Sequence, residues 1–215
     1  MHKGYRLTQI ILRPLQRIFF RIKVVGRENI PDEGGFVLCS NHIAATDVLK
    51  LGANCKRQLK FVAKKELFSI PILRGIMKAF GAVKIDRGGN DVGAIRAAIE
   101  LAKNGDLVAI FPQGHRYPKV DPSTTPIKNG VALIAYRAGC PIIPACIKTK
   151  KNKYLLFRQI TVYFGKPLSH EELGLKDGTN EEFKRASELA FSNVIQLGGF
   201  PALPAHNNSE EDKGQ

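Results

Sequence analysis

Residues 35–49 read GFVLCSNHIAATDVL. The first five letters form an apolar run typical of a buried strand, and the stretch from Ala44 to Leu49 is typical of a helix start. His42 therefore falls at a turn between a strand and a helix, where it is anchored from behind and open to a substrate. Asp47 follows on the helix side of that turn. A histidine paired with a carboxylate is suited to act as a general base on a hydroxyl group.

The spacing of His42 and Asp47 decides whether their side chains can meet. On a regular α-helix, five steps of about 100° place two side chains roughly 140° apart, on different faces. We therefore predict a turn after His42, ahead of the helix, that folds the imidazole and the carboxylate into contact. The alternative is a histidine that caps a helix, beside an aspartate exposed on the first turn.

Strand-like and helix-like segments alternate along most of the chain. This order predicts an α/β fold, with a mixed β-sheet flanked by helices. The predicted strands are residues 22–25, 35–39, 59–63, 82–85, 107–111, 142–147, 154–157 and 160–164. The predicted helices are residues 46–53, 65–80, 91–103, 128–138 and 181–196.

Residues 5–22 have the pattern of an amphipathic helix, with a kink predicted at Pro14. Its apolar stripe consists of Leu7, Ile11, Leu15, Ile18 and Ile22. Its opposite side carries Arg6, Arg13, Arg17 and Arg21. We predict that this N-terminal helix is membrane-associating and lies in the bilayer interface, with its arginines near anionic head groups. The alternative is a terminal helix packed on the domain, with its arginines in solvent.

The length of the chain limits the number of domains that it can form. At 215 residues the chain has room for one core of good size: we predict an amphipathic interfacial helix at 1–23, an α/β domain at 24–200 and a polar flexible tail at 201–215.

Lys and Arg number 33 against 19 Asp and Glu, a net charge of +14, so the protein attracts anions. No run of about 20 apolar residues predicts a membrane-spanning helix. No nucleic-acid-binding motif is recognised, which favours acidic lipids over nucleic acid as partners.

The four cysteines are spread along the chain and none forms a C-x-x-C pair. They are Cys39, Cys55, Cys140 and Cys146. This spacing favours reduced thiols over a disulfide framework or a zinc site.

Residues 81–87 are a candidate anion-binding segment. An apolar strand ends there in Asp86 and Arg87, followed by Gly88 and Gly89. An arginine released into a glycine-rich turn can hold a phosphate through two parallel hydrogen bonds. The alternative is a surface ion pair between Asp86 and Arg87.

A second such segment is residues 111–116, which read FPQGHR and follow another predicted strand. Proline ends the strand, and Gly114 lets backbone N–H groups turn toward a ligand, where they would stabilise the oxyanion of an attacked thioester. Lys128 then opens a predicted helix, whose N-terminus favours an anion. The alternative is a long surface loop with scattered charges.

Four segments, in this order, resemble the sequence blocks of the 1-acyl-sn-glycerol-3-phosphate (lysophosphatidate) acyltransferase family. They are N-H-x4-D at 41–47, then 81–87, 111–116 and 141–144. The likeness runs from about residue 24 to residue 164. The third block of the family usually reads F-P-E-G-T-R, whereas this chain has Gln113 and His115 in place of Glu and Thr.

The resemblance implies transfer of a fatty acyl group from acyl-coenzyme A or acyl carrier protein to the sn-2 hydroxyl of lysophosphatidate, giving phosphatidic acid without a cofactor or a metal. It implies that His42 is the catalytic base and Asp47 its partner, with a phosphate cradle of Arg87 and Lys128. Expected substrate contacts are Asn41, Arg87, Gln113, Gly114, His115, Arg116 and Lys128.

Two alternatives to this reaction stay open at the level of sequence. One is acylation of another lipid hydroxyl, on glycerol 3-phosphate or a lysophospholipid, because Gln113 lacks the charge of the usual glutamate. The other is a non-catalytic protein that binds acidic lipids. The expected location is the cytoplasmic face of the membrane, as a peripheral or monotopic protein in contact with membrane phospholipids.

Overall fold

The computed structural model describes residues 3–64, 69, 74–75, 81–85 and 92–203. The helices are α1 (Lys3–Phe20), α2 (Asp47–Asn54), α3 (Val92–Lys103), α4 (Gly130–Ala138) and α5 (Asn180–Leu197). The strands are β1 (Lys23–Val25), β2 (Phe36–Ser40), β3 (Leu59–Lys64), β4 (Val83–Ile85), β5 (Leu107–Ile110), β6 (Ile142–Thr149) and β7 (Ile160–Phe164). Short 3-10 helices occupy Arg27–Asn29, Pro122–Thr124 and Lys150–Asn152.

In the described part of the chain, these strands form one seven-stranded sheet in the order β1-β7-β6-β2-β5-β3-β4. Neighbouring strands are parallel except β6 and β7, which are antiparallel. The predicted mixed sheet is therefore confirmed. Parallel strands are buried on both faces, which explains the long apolar runs that marked them in the sequence.

Each face of the sheet has its own apolar core. In β2, Val37 and Cys39 belong to the core under α3, α4 and α5, whereas Leu38 belongs to the core under α1 and α2. This division follows from the alternation of side chains along a strand. The helices therefore flank the sheet on both faces, as predicted.

The site depends on where the parallel strands end. Cys39 of β2 lies opposite Ile110 of β5, and β6 runs parallel to β2 on its other side. The carboxyl ends of β2, β5 and β6 therefore share one edge of the sheet, and the loops after them meet there. Those loops carry His42, residues 111–116 and residues 150–159 respectively.

One predicted strand, at residues 154–157, is wrong. The segment is irregular and contains a turn, and Phe157 has a φ of 60°, which a strand does not accommodate. Its backbone N–H donates to the carbonyl of Phe19 in α1 at 2.6 Å instead of to a strand. Other boundaries agree within two residues. Most of the predicted helix 65–80 lies outside the described residues, as does Arg87.

Helix α1 packs on the domain through its polar side. The hydroxyl of Tyr5 donates to the carbonyl of Gly52 at 2.6 Å, and Gln9 and Gln16 donate to carbonyls of α2 and of the residue after it. Arg13 donates from Nε to the carbonyl of Ala53 at 2.5 Å. These side chains satisfy carbonyls that a helix C-terminus leaves without partners. The predicted orientation of Arg13 toward lipid head groups is therefore wrong.

The apolar stripe of α1 is exposed as a consequence. The exposed members of the predicted stripe are Leu7, Ile11, Leu15 and Ile18, and Ile10 and Phe19 are exposed beside them. Ile22, the fifth predicted member, lies after α1 and is buried. Among the described residues, no helix is long and apolar enough to span a bilayer.

Candidate active site

The predicted contact between His42 and Asp47 is present. His42 Nδ1 lies 2.8 Å from Asp47 Oδ2, and the residues between them form a turn before α2 begins at Asp47. The same carboxylate oxygen accepts the backbone N–H groups of Ile43 at 2.6 Å and Ala44 at 2.9 Å. These backbone donors wrap the turn around the carboxylate, so the turn itself directs Asp47 toward the imidazole.

This contact sets the tautomer of His42. An ionised carboxylate only accepts hydrogen bonds, so Nδ1 carries the proton that it shares with Asp47. Nε2 then presents a lone pair. Asp47 is fully buried, whereas the His42 side chain remains 17% exposed. The pair therefore has the arrangement of a general base with a buried orienting carboxylate.

The loop after β5 holds His42 from a second side. The His42 ring stacks on the Phe111 ring, with centroids 4.0 Å apart and planes 15° from parallel. The carbonyl of His42 accepts the backbone N–H of Tyr117 at 2.8 Å. The position of His42 is thus fixed by its ring face, its backbone and Nδ1.

Gln113 also holds His42, through the backbone of that residue. Its Oε1 accepts the backbone N–H of His42 at 2.6 Å, and its Nε2 donates to the hydroxyl of Thr125 at 2.7 Å. The side chain is 3% exposed. Both polar ends of its amide therefore bond to protein groups of the loop, and the predicted substrate contact of Gln113 stays a prediction.

Asn41 has a comparable structural position. Its Nδ2 donates to the carbonyl of Ile147 at 2.9 Å, and its Oδ1 accepts the N–H of the same residue at 2.8 Å. The amide thus continues the pairing of β2 with β6 past the end of the strand. Asn41 is 1% exposed. Its predicted substrate contact, like that of Gln113, stays a prediction.

Gly114, His115 and Arg116 are exposed at the tip of the same loop. Gly114 has a φ of 70°, and a Cβ placed there would lie 3.1 Å from Cε of Lys128. The Lys128 side chain therefore runs along Gly114 and brings an ammonium group to this loop. The N–H of Gly114 itself donates to the carbonyl of Phe111 at 3.1 Å. The use of backbone N–H groups near Gly114 for an oxyanion stays a prediction.

Sequence reasoning missed one contact of the pair. The hydroxyl of Tyr154 donates to Asp47 Oδ1 at 2.5 Å. Tyr154 lies in the segment that was predicted to be a strand, because its apolar neighbours give it a β pattern. No signal in the sequence connects it with an aspartate so far away along the chain.

The cysteines are not available as nucleophiles. Cys39 is a core position of β2 and is fully buried, and burial raises the pKa of its thiol well above the usual range. Burial likewise raises the pKa of Cys146 to about 12. In the part of the chain that the structure describes, no group of three His, Cys, Asp or Glu side chains is arranged to hold a metal ion.

A family model described as Acyltransferase matches residues 21–148, which is more than half of the chain and includes His42, Asp47 and the loop after β5. This chain belongs to that acyltransferase family. A 1-acyl-sn-glycerol-3-phosphate acyltransferase of Bacillus subtilis is 32% identical over 167 residues, covering 76% of this chain and 82% of the relative.

Two further relatives of this acyltransferase extend the comparison. A 1-acyl-sn-glycerol-3-phosphate acyltransferase of Saccharomyces cerevisiae is 26% identical over 191 residues, and the chain spans only 62% of that protein's length. The crystal structure of a 1-acyl-sn-glycerophosphate acyltransferase from Thermotoga maritima matches with a TM-score of 0.65 and 24% identity, over 90% of this chain and 79% of that one. The structural likeness establishes the shared fold.

Proposed function

We propose that this chain transfers a fatty acyl group from an acyl thioester to the sn-2 hydroxyl of 1-acyl-sn-glycerol 3-phosphate, forming phosphatidic acid. The observation that carries the proposal is the 2.8 Å contact between His42 Nδ1 and the buried Asp47, which leaves Nε2 free of its proton. The relatives from B. subtilis and S. cerevisiae, both named for this acceptor, support the choice of lysophosphatidate.

The proposed reaction is a direct transfer. Nε2 of His42 takes the proton of the acceptor hydroxyl as its oxygen attacks the thioester carbonyl, and Asp47 stabilises the imidazolium. When the tetrahedral intermediate collapses, the carbon–sulfur bond breaks, and the imidazolium returns a proton to the departing thiolate. General-base assistance of this kind contributes roughly 10²–10⁴-fold in rate.

Binding of the acceptor phosphate is assigned to the cations beside the loop tip. Lys128 runs along Gly114, and Arg116 is exposed on the same loop. His115, also exposed there, would add a positive charge only when protonated. Arg87 keeps its predicted place in the phosphate cradle, although it lies outside the described residues. Positioning of the acceptor by these charges supplies much of the remaining rate enhancement.

One contact in the structure supports lysophosphatidate as the acceptor despite the change at position 113. Gln113 stands where the family usually has glutamate, and it holds the His42 backbone from behind the site. This contact supports an effect of the lost charge on the position of His42. Family membership as an acyltransferase likewise weighs against the alternative of a non-catalytic lipid binder.

We place α1 in the membrane interface, at the cytoplasmic face. The exposed stripe of α1 continues into Leu156 and Phe157, which are 60% and 61% exposed. Phe157 is tied to α1 through the carbonyl of Phe19, and the two rings are 6.3 Å apart. A contiguous apolar surface of this kind marks an interaction site. Exposed Arg17 and Arg21 on the same segment favour an anionic leaflet.

The direct test uses purified protein with labelled acyl-coenzyme A and acyl carrier protein as donors, against a panel of acceptors. The panel contains lysophosphatidate, glycerol 3-phosphate and lysophosphatidylcholine. Labelled phosphatidic acid formed from lysophosphatidate is the expected product, with the preferred donor read from the two arms. Acylation of either other acceptor in preference to lysophosphatidate would refute the proposed acceptor.

A further inference from the structure

Besides His42, two further side chains interact with Asp47: Tyr154 and Lys50. The hydroxyl of Tyr154 donates to Oδ1 at 2.5 Å, whereas Oδ2 accepts hydrogen bonds from His42 Nδ1 and from the backbone N–H groups of Ile43 and Ala44. The two carboxylate oxygens thus bind different partners. Rotation of the carboxylate would break the Tyr154 bond as well as the His42 bond.

The Tyr154 hydroxyl can act only as the hydrogen-bond donor in its contact with Asp47. A phenol has one proton to give, and an ionised carboxylate can only accept it. Burial, followed by the nearby charge of Asp47, raises the pKa of Tyr154 far above its ordinary value. The hydroxyl therefore keeps its proton, and its bond to Oδ1, throughout the pH range in which an enzyme works.

Lys50 fixes the ring that carries this hydroxyl. It lies on the first turn of α2, is 3% exposed, and donates to the hydroxyl of Thr46 at 2.7 Å. Its Nζ lies 3.8 Å from the centroid of the Tyr154 ring and 5.2 Å from that of Phe20. A desolvated ammonium over an aromatic face attracts the ring strongly. The Lys50 ammonium thus stabilises the Tyr154 ring in the orientation that reaches Asp47.

We propose that Tyr154 is a positioning residue for the His42–Asp47 pair, with Lys50 acting through the Tyr154 ring. The hydroxyl of Tyr154 anchors Oδ1, so that Oδ2 stays directed at Nδ1 of His42 and Nε2 stays directed at the substrate. The same hydrogen bond withdraws negative charge from the carboxylate. This inference rests on the proposed acyl transfer, since the pair is the general base of that reaction.

Other ionisable side chains lie on the segments that adjoin the pair, and the comparison of Tyr154→Phe with wild type leaves them unchanged. They include Lys50 on α2, His115, Arg116 and Tyr117 after β5, and Lys128 before α4. Tyr154→Phe removes one oxygen and keeps the ring under Lys50. Tyr136→Phe is the matched control: Tyr136 of α4 donates to the carbonyl of Lys176 at 3.3 Å, on the other face of the sheet.

The kinetic test measures thiol release with lysophosphatidate over a range of pH. For Tyr154→Phe we expect kcat to fall on the order of tenfold, the effect of one hydrogen bond, with both KM values unchanged. The acid limb of the kcat/KM profile should move to higher pH, because the carboxylate regains charge and holds the protonated imidazole more strongly. Tyr136→Phe should match wild type in both respects.

Lys50→Met tests the second part of the inference. It keeps a long apolar side chain and removes the charge, so kcat should fall by roughly two- to fivefold through the lost attraction to the ring. If Lys50 acts through the Tyr154 hydroxyl, its removal should have no further effect in Tyr154→Phe. Fully additive effects in this double-mutant cycle would overturn the role given to Lys50.

A measurement without substrate separates this inference from the proposed function. The low-field NMR signal of the His42 Nδ1 proton reports its hydrogen bond to Asp47 in the resting protein. It should shift in Tyr154→Phe and stay in place in Tyr136→Phe, whichever acceptor the enzyme uses. An unchanged NMR signal or an unchanged pH profile in Tyr154→Phe would show that Tyr154 does not position the pair. The same conclusion would follow if kcat fell equally at every pH together with a lowered thermal midpoint.

Discussion

The backbone N–H of His42 donates to the side chain of Gln113 at 2.6 Å, so a residue at the loop after β5 fixes the candidate base at the end of β2. The amide also reaches Thr125, which donates in turn to the carbonyl of Pro122 at 2.7 Å. Gln113 therefore couples the His42 turn to the segment that follows the exposed loop tip. We expect a change at position 113 to disturb this coupling.

We expect Gln113→Ala to lower kcat by about tenfold or more and to leave the KM for lysophosphatidate unchanged, because a buried N–H of His42 loses its partner. Gln113→Glu should retain most of the activity, since a carboxylate oxygen can accept the same N–H. Gln196→Ala, an exposed glutamine of α5, is the matched control. A raised KM with a normal kcat in Gln113→Ala would return Gln113 to the acceptor site.

Removal of the base should nearly abolish turnover. His42→Ala should lower kcat by roughly 10²–10⁴-fold, the contribution of a general base, with an unchanged thermal midpoint. Asp47→Asn should also be severely impaired, because an amide in place of the carboxylate disturbs the tautomer of His42. Thiol release measured with excess enzyme checks both variants. Turnover of His42→Ala at the wild-type rate would exclude His42 as the base.

The fold and the pair were predictable because each depends on a local pattern. Contiguous apolar runs marked the buried strands, and the strand-to-helix junction placed His42 at the sheet edge. The backbone contacts of Asn41 and Gln113 were not predictable, because a sequence does not tell whether a polar side chain beside a base faces substrate or backbone. Both are buried against backbone groups here. Arg13 was misassigned because a helical wheel assumes that the polar side faces solvent, whereas α1 uses it to satisfy α2.

The contact between Tyr154 and Asp47 was not predictable from the sequence for a different reason. Its surroundings, Tyr-Leu-Leu-Phe, have a strand-like composition, yet the segment turns because Phe157 binds the end of α1. The bond from Tyr154 to Asp47 joins residues separated by 107 positions. A contact of this kind depends on how three loops meet at one sheet edge, which no local pattern encodes.

Lys128 should affect binding of the acceptor more than the rate of the chemical step. We expect Lys128→Ala to raise the KM for lysophosphatidate by about tenfold, the value of a charge-assisted phosphate contact, with an unchanged KM for the acyl donor. Gly114→Ala should do the same, because its Cβ would displace the Lys128 side chain and strain a φ of 70°. Lys184→Ala, an exposed lysine on α5, is the control. Equal KM values in Lys128→Ala and wild type would remove this residue from the phosphate site.

The exposed apolar surface should govern membrane binding. Ile18→Ser and Phe157→Ser should each weaken sedimentation with anionic phosphatidylglycerol vesicles by roughly tenfold, because apolar area no longer enters the interface. Val92→Ser provides a control, since Val92 at the start of α3 is 58% exposed, close to the 61% of Ile18. Point substitutions are preferable to deletion of α1, whose polar side supports α2. Vesicle binding that survives both substitutions would show that another surface contacts the membrane.

Buried Lys50 should make stability depend on pH in a defined direction. Burial lowers its pKa from 10.5 to about 8, opposed by the attraction of Asp47. Between these two values the unfolded chain binds more protons than the folded one, so the free energy of unfolding rises with pH across this window. Charged Lys50 thus costs stability below about pH 8, on the order of 1–3 kcal/mol.

Lys50→Met removes this cost, so its gain in thermal midpoint over wild type should be largest near pH 7 and should shrink as pH approaches 10. Urea unfolding of both proteins at several pH values measures the difference directly, because all other titrating groups are shared. Lys184→Met is the control for loss of an exposed lysine. A difference between Lys50→Met and wild type that is constant with pH would mean that Lys50 keeps an ordinary protonation equilibrium in the folded protein.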